Sequence, residues 1–302
     1  MSIRHADQEA FGVLHFIYNP IAGKGKSRRC REELEKLLRS RGAPYRFHET
    51  HARGEALEIV RQLTGSGDET DIVAMGGDGT LNEVLNGIVD PARARLGIIP
   101  CGSGNDFAAV ARIPQAPEAA LGLILDGQAR YTDFMTCSGV RGINAIGAGI
   151  DVDILRRYNR MKLLKGSAAY LASLIITVLA FKFYRFSEYI DGKAVPHSAL
   201  IACAGNGQCF GGGIYICPEA RIDDGLLDIV IVDNLKKRDI PGAFVQLMKK
   251  RVLDLKYTRF RRDAALKITS DAPMPIQIDG EIHEDLPFDV RIVHNALRVY
   301  RP

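Results

Sequence analysis

The sequence predicts an α/β protein of two domains: a doubly wound, three-layer α/β domain followed by a β-rich, sandwich-like domain. Three observations carry this. Short, wholly apolar runs end twice between residues 71 and 107 in glycine loops that open into helical spacing. Beyond Tyr131 the texture changes to short strand-like runs separated by turn signals. A chain of 302 residues with 46% hydrophobic content is also longer than one core usually encloses. The boundary is expected after residue 133, with residues 1–133 completed by 292–302 and the second domain over 134–291.

In chain order, Val13–Tyr18 reads as a first strand, followed by Asn-Pro-Ile-Ala-Gly-Lys-Gly-Lys-Ser and a helix carrying Leu34, Leu37 and Leu38. Gly25-Lys26-Ser27 has the ending of a P-loop, but the glycine required five residues earlier is Pro20, so that reading is rejected. Gly42 is placed to end the helix, Tyr45–His48 gives a second strand, and Ala56, Ile59, Val60 and Leu63 mark one face of a second helix. Thr50 falls between them as a hydroxyl suited to a helix start.

The stretch Asp-Ile-Val-Ala-Met-Gly-Gly-Asp-Gly-Thr-Leu-Asn-Glu, residues 71–83, joins a buried strand to a helix. Gly76, Gly77 and Gly79 allow positive φ and remove side chains from a ligand's path. Thr80 and Glu83 have capping-box spacing ahead of Val84, Leu85 and Ile88. Exposed amides at the start of a helix form an anion site, in practice usually one for phosphate. Leu96–Ile99 and Pro-Cys-Gly-Ser-Gly-Asn-Asp-Phe repeat the plan, with Gly102 and Gly104 opening the backbone and Asn105 and Asp106 facing the same crevice.

In the second half, Gly139–Asp151 is glycine-rich and Ser167–Phe186 is strongly apolar. Lys182 interrupts that run short of the roughly 20 residues a membrane span requires, so a helix packed on the second domain is expected, with lipid contact as the alternative. Phe183–Ile190, Ala199–Ala204, Leu227–Val232, Ala265–Ile268, Phe288–Val293 and Ala296–Tyr300 read as strands. Asp224-Gly225 and Asp279-Gly280 are turn dipeptides, the second followed by Glu281, which sets two carboxylates close together.

Gly-Gly-Asp-Gly-Thr-Leu-Asn-Glu-Val resembles the nucleotide-binding signature of the diacylglycerol kinase catalytic-domain family, which includes soluble bacterial lipid kinases and the sphingosine and ceramide kinases. The likeness runs from the Asn-Pro-x-x-Gly opening at Asn19, Pro20 and Gly23 to the Asp-Gly-Glu at Glu281. Ser103 replaces the family's usual threonine in the second loop and keeps its hydroxyl. The resemblance implies an ATP- and magnesium-dependent lipid kinase, its first domain binding the nucleotide and its second the lipid. ATP would lie across the interdomain cleft against Asn19, Pro20 and Gly23, against Gly76, Gly77, Asp78, Gly79, Thr80 and Glu83, and against Gly102, Ser103, Gly104 and Asn105, with Thr50 also reaching it. Asp78 would bind or orient Mg2+ at the phosphates. A second Mg2+ is implied at the Asp-Gly-x-Leu-Asp turn, held by Asp224 and the carbonyls of Arg221 and Leu226. Glu281 would be the general base and Asp279 its neighbour, with Asp151 joining the acidic network. Diacylglycerol, giving phosphatidic acid, is the leading acceptor; a sphingoid base, ceramide or an isoprenoid alcohol is the alternative. The Gly-Gly-Asp-Gly-Thr core also occurs in NAD kinases, and a non-catalytic nucleotide- or lipid-binding regulator could share the fold.

Six scattered cysteines without a C-x-x-C pair read as small buried residues in a reducing compartment. The N-terminus has no apolar core of the signal-peptide kind, so a cytoplasmic protein is expected, meeting the inner membrane face peripherally. The net charge of +4 is mild, but basic residues cluster at Lys24–Arg31, Lys249–Arg251 and Arg259–Arg262. A membrane lipid substrate with transient membrane contact is the expected partner, without nucleic acid, and an exposed strand edge would serve a homodimer.

Overall fold

The computed structural model describes residues 12–160, 173, 176, 177 and 183–302. Most of the expected apolar helix over 167–186 lies outside the described residues. Contacts divide the chain into two compact units. The first holds the chain up to Gly102, with Ile113–Arg130 and Leu297–Pro302; the second holds Ser103–Arg112 and Tyr131–Ala296.

The first unit alternates strand and helix: β1 (Leu14–Tyr18), α1 (Ala22–Arg41), β2 (Tyr45–Glu49), α2 (Glu55–Thr64), β3 (Thr70–Gly76), α3 (Asp78–Gly87) and β4 (Ala94–Pro100). The strands pair in parallel in the order β2-β1-β3-β4. Every residue of β3 is buried, which is why its sequence does not alternate in polarity. Gly42 ends α1 with φ 65, and the N–H of Ala43 reaches back to the carbonyl of Leu38. At the far end of the chain, Arg298 and Val299 pair with β4. There the Tyr300 hydroxyl donates to Asp71 Oδ1 at 2.6 Å, while Arg95 grips both oxygens of this almost wholly buried carboxylate at 2.7 and 2.8 Å.

The second unit begins with a short helix, α4 (Asp106–Val110), and after α5 (Pro117–Leu125) of the first unit the chain returns to it along β5 (Ala129–Cys137). There follow β6 (Val140–Gly142), β7 (Ala145–Gly149), α6 (Ile150–Arg160), β8 (Tyr184–Ile190), β9 (Lys193–Gly205), β10 (Leu227–Asp233), β11 (Thr258–Asp263), β12 (Ala265–Thr269), β13 (Ile276–Ile278), β14 (Glu281–His283) and β15 (Phe288–Tyr300). β9 and β10 carry apolar residues on both faces. Ala202, Ala204, Ile229 and Ile231 point into a core shared with Leu266, Ile276, Ile278 and Val290 from other strands. Ile201, Cys203, Val230 and Val232 point the other way, onto Ile150 and Ile154 of α6 and onto a helix over Ile240–Met248. The two-residue period of a strand thus divides one sheet between two cores.

Several expectations are corrected. Phe288–Tyr300 is one strand rather than two, passing through Asn295 at φ 50. Helix α1 starts at Ala22, so Gly23–Ser27 lie in its first turns and not in a loop. The helix Ile240–Met248 is not among the expected elements of this β-rich region; nine uncharged, mostly apolar residues are too short to separate from a buried strand by periodicity. All six cysteines are buried and none forms a disulfide, and burial pushes the Cys101 thiol up to about 12 and that of Cys137 to about 11.

Candidate active site

In the first unit the loops after β1, β3 and β4 converge. Gly23 sits with φ 58 directly against the carbonyl of Cys101, and any Cβ there would overlap that oxygen. The N–H groups of Cys101 and Gly102 donate to the carbonyl of Gly76 at 2.8 and 3.1 Å, tying the second glycine loop to the first. Gly76, Gly77 and Gly79 do not use positive φ, contrary to expectation; the need for glycine is steric at Gly76 and Gly77, whereas Gly79 borders open space. A Cβ on Gly76 would lie 2.6 Å from Thr80 Cβ, and one on Gly77 would lie 3.0 Å from Gly102 Cα. In the second loop Asn105, at φ 56, takes the left-handed conformation instead of Gly102 or Gly104.

Thr80 and Glu83 form no capping box. Helix α3 begins at Asp78 with Gly77 as its N-cap and no side-chain cap, so Thr80 lies inside the first turn, folded over Gly76. Glu83 instead accepts the N–H of Ala56 at 3.2 Å in the first turn of α2, a capping bond between neighbouring helices. At the start of α3 Asp78 is half-buried and Gly79 exposed. Asn19 accepts the Ile21 N–H at 3.0 Å, closing the turn ahead of α1. Thr50 is buried, and its hydroxyl and N–H both donate to the carbonyl of Tyr18; its position clamps the ends of β1 and β2 together.

The second unit contains Ser103, Gly104 and Asn105. Asp106, which follows them, accepts the N–H of Gly212 at 2.9 Å, so it anchors the Gly211-Gly212-Gly213 loop instead of facing an open crevice. Those three glycines have φ of 64, 82 and 100, a run no side-chain-bearing sequence would adopt. Burial raises the Asp106 carboxyl above its usual range.

Asp279-Gly280 forms the two-residue turn between β13 and β14, with φ 48 and 88 as a type I′ hairpin requires. Asp279 Oδ2 accepts the N–H of Ile143 at 2.7 Å, and Oδ1 those of Asn144 and Ala145 at 2.9 and 3.0 Å. Glu281 opens β14 half-buried, opposite Ile278. Gln277, fully buried, accepts the Gly280 N–H at 2.8 Å through Oε1. Its amide nitrogen faces the Asp151 carboxyl beside Gly147 without completing a hydrogen bond of normal geometry.

Asp151 begins α6 in the wall of an apolar cavity of about 80 Å³, otherwise lined by residues such as Ile154, Ile201, Ile216, Phe244 and Leu247. Both its oxygens are buried without a hydrogen-bond partner, and burial pushes its pKa up to about 7. The lining comes from six separate stretches between Ile150 and Leu255, so no local motif announces the cavity.

At the third expected site, Asp224 Oδ1 accepts the Leu226 N–H at 3.1 Å within its own turn, and Arg221 and Leu226 are exposed. Asp228 nearby gives Oδ1 to Arg262 at 2.8 Å, while its Oδ2 is buried without a partner. Among the described residues no group of three or more His, Cys, Asp or Glu side chains converges here, so a cation at this turn would depend on Asp224 and backbone carbonyls. Asp133, absent from the sequence reading, organises this turn. Fully buried, it accepts the Gly225 N–H at 2.7 Å through one oxygen, and His294 Nδ1 at 2.9 Å and the Asn295 N–H at 2.7 Å through the other. A lone acid in an otherwise uncharged strand segment, Tyr131–Met135, is the signal that could have found it.

The first unit thus carries strand-to-helix turns cleared of side chains, and the second an apolar cavity with the single carboxyl of Asp151 in its wall. Residues 13–137 match the diacylglycerol kinase catalytic domain and residues 144–301 the YegS C-terminal NAD kinase beta sandwich-like domain. The chain is 33% identical over 295 residues to "Probable lipid kinase YegS-like" of Xanthomonas campestris, covering 93% of this chain and 94% of that one. It is 28% identical to "Diacylglycerol kinase" of Staphylococcus aureus, covering 95% and 91% of the two chains. A crystal structure of a diacylglycerol kinase from Bacillus anthracis has a TM-score of 0.77 at 23% identity over 96% of each chain, which establishes the shared fold. The chain belongs to the YegS-like branch of the diacylglycerol kinase catalytic-domain family and is an ATP-dependent lipid kinase.

Proposed function

We propose that the protein transfers the γ-phosphoryl group of ATP, as its magnesium complex, to the hydroxyl of diacylglycerol, giving phosphatidic acid and ADP. The observation that carries the choice of acceptor is the apolar cavity with Asp151 in its wall. The accessible lining is almost wholly apolar, which suits acyl chains and presents no exposed charge to a sphingoid amine. The relatives named diacylglycerol kinase support the same acceptor.

On this reading the backbone at Asn19–Gly23, Gly76–Thr80 and Gly102–Asn105 receives the nucleotide, the N–H groups at the start of α3 facing its phosphates. Asp78 orients the phosphates through their counter-ion. Glu281 accepts the proton of the lipid hydroxyl as its oxygen bonds to the γ-phosphorus and the bond to the β-phosphate oxygen breaks. Asp279, its oxygens occupied by three N–H groups, is a positioning residue that fixes the hairpin carrying Glu281. Bound Mg2+ would neutralise phosphate charge, and Asp224 with the carbonyls of Arg221 and Leu226 would hold a second ion that stiffens its turn.

The test is labelled-phosphate transfer from ATP and Mg2+ to diacylglycerol, sphingosine, ceramide and an isoprenoid alcohol in mixed micelles, with NAD in a parallel tube. Label in diacylglycerol, lost with Asp78→Ala in a protein of unchanged melting temperature, is the expected result. Label in a sphingoid base alone would reassign the acceptor, and label in NAD alone would reassign the reaction.

A further inference from the structure

The helix Ile240–Met248 has two apolar faces. Ile240, Ala243, Phe244 and Leu247 line the cavity, whereas Val245 and Met248 on the opposite side are 47% and 50% exposed. The helix has no charged residue, and none of its residues is fully buried. Its flanks are basic: residues 236–256 carry seven Lys or Arg against Asp239 and Asp254, so this stretch alone exceeds the chain's net charge of +4. Lys249 and Arg251 are exposed immediately after its last turn, Arg251 also pairing with Asp254 at 2.5 Å, and the Lys250 ammonium lies 3.6 Å over the ring of Tyr215.

An exposed apolar ridge framed by cations is the pattern of a surface that inserts a few side chains into an anionic bilayer while its charges meet the headgroups. We infer that the outer face of Ile240–Met248, with Lys249 and Arg251, docks the protein on an anionic lipid bilayer. The inference rests on the reading that the cavity beneath this helix receives the lipid acceptor, and it adds where the acceptor would leave the membrane. The same helix would touch the bilayer with one face and the acyl chains with the other.

The test is co-sedimentation of the full chain with vesicles of phosphatidylcholine alone or with phosphatidylglycerol. Binding is expected to the mixed vesicles and to weaken about tenfold or more in K249E/R251E. V245S/M248S is expected to weaken it less, each variant keeping the wild-type melting temperature. With a monodisperse short-chain diacylglycerol, which requires no bilayer, both variants should turn over at the wild-type rate. Equal binding by wild type and K249E/R251E, equal binding to neutral and anionic vesicles, or a dimer in sedimentation that V245S/M248S dissolves would overturn the proposal. Failure of wild-type turnover with every lipid in the panel would instead remove the acceptor reading, and vesicle binding would then be judged separately.

Discussion

The loop ends of β3 and β4 and the cavity against β9 are built by opposite means. At the loops the protein removes side chains so that backbone meets backbone, with Gly23 against Cys101 and Gly77 against Gly102. In the cavity it brings together side chains from dispersed stretches and leaves one carboxyl, Asp151, among them without a partner. The first design is intolerant of a single added carbon and, on the proposed function, would bind through dipoles. The second tolerates changes of shape and binds by area.

The sharpest way to break the contrast is to add that carbon. Gly76→Ala should lower kcat/KM for ATP on the order of 100-fold, because Thr80 and the start of α3 must shift by a fraction of an ångström to an ångström. Thr80→Gly in the same chain removes the Cβ as well as its two branches and so makes room, and G76A/T80G should recover part of the loss in ATP affinity, which a double-mutant cycle measures.

Asp151 offers the corresponding test on the cavity side. Its folded pKa of about 7 lies above an unfolded value near ~3.9, so between them the folded state holds a proton the unfolded state has lost. Stability therefore falls as pH rises from about 4 to about 7, by at most about 4 kcal/mol, and the loss is complete above the folded pKa. Asp151→Asn should abolish that slope in urea unfolding at pH 5 and pH 8, and an unchanged slope would place the titration elsewhere.

Filling the cavity should act on one substrate only. Leu247→Trp is expected to raise KM for the lipid roughly tenfold while leaving KM for ATP within about twofold, in steady-state assays that vary each substrate. The smallest effect is structural. Glu83→Gln weakens the cap it gives to α2 and should cost about 1 kcal/mol by thermal unfolding, with ATP affinity retained if its role is confined to that bond.

The same contrast explains what could be read from the sequence. Glycine loops were legible because removing side chains leaves a local trace, and the buried strand ahead of Gly76 is contiguous in the chain. Even there the physical reason differed: steric clearance at Gly76 and Gly77, and left-handed backbone at Asn105. The hairpin at Asp279-Gly280 was legible from its dipeptide, but the three N–H groups that occupy Asp279 come from Ile143–Ala145, far away in sequence. Asp133 and the cavity were not found because their meaning lies in partners that only tertiary structure supplies. Thr80 and Glu83 show the converse, a local signature whose bonds were redirected by packing.

The most direct test is an initial-rate matrix with ATP and short-chain diacylglycerol as the two varied substrates, run on the wild type, Gly76→Ala and Leu247→Trp. The account predicts that Gly76→Ala moves the ATP parameters and Leu247→Trp the lipid parameters, each leaving the other substrate nearly unchanged. A Leu247→Trp enzyme with unaltered diacylglycerol kinetics would contradict it, because the cavity would then have no part in holding the acceptor.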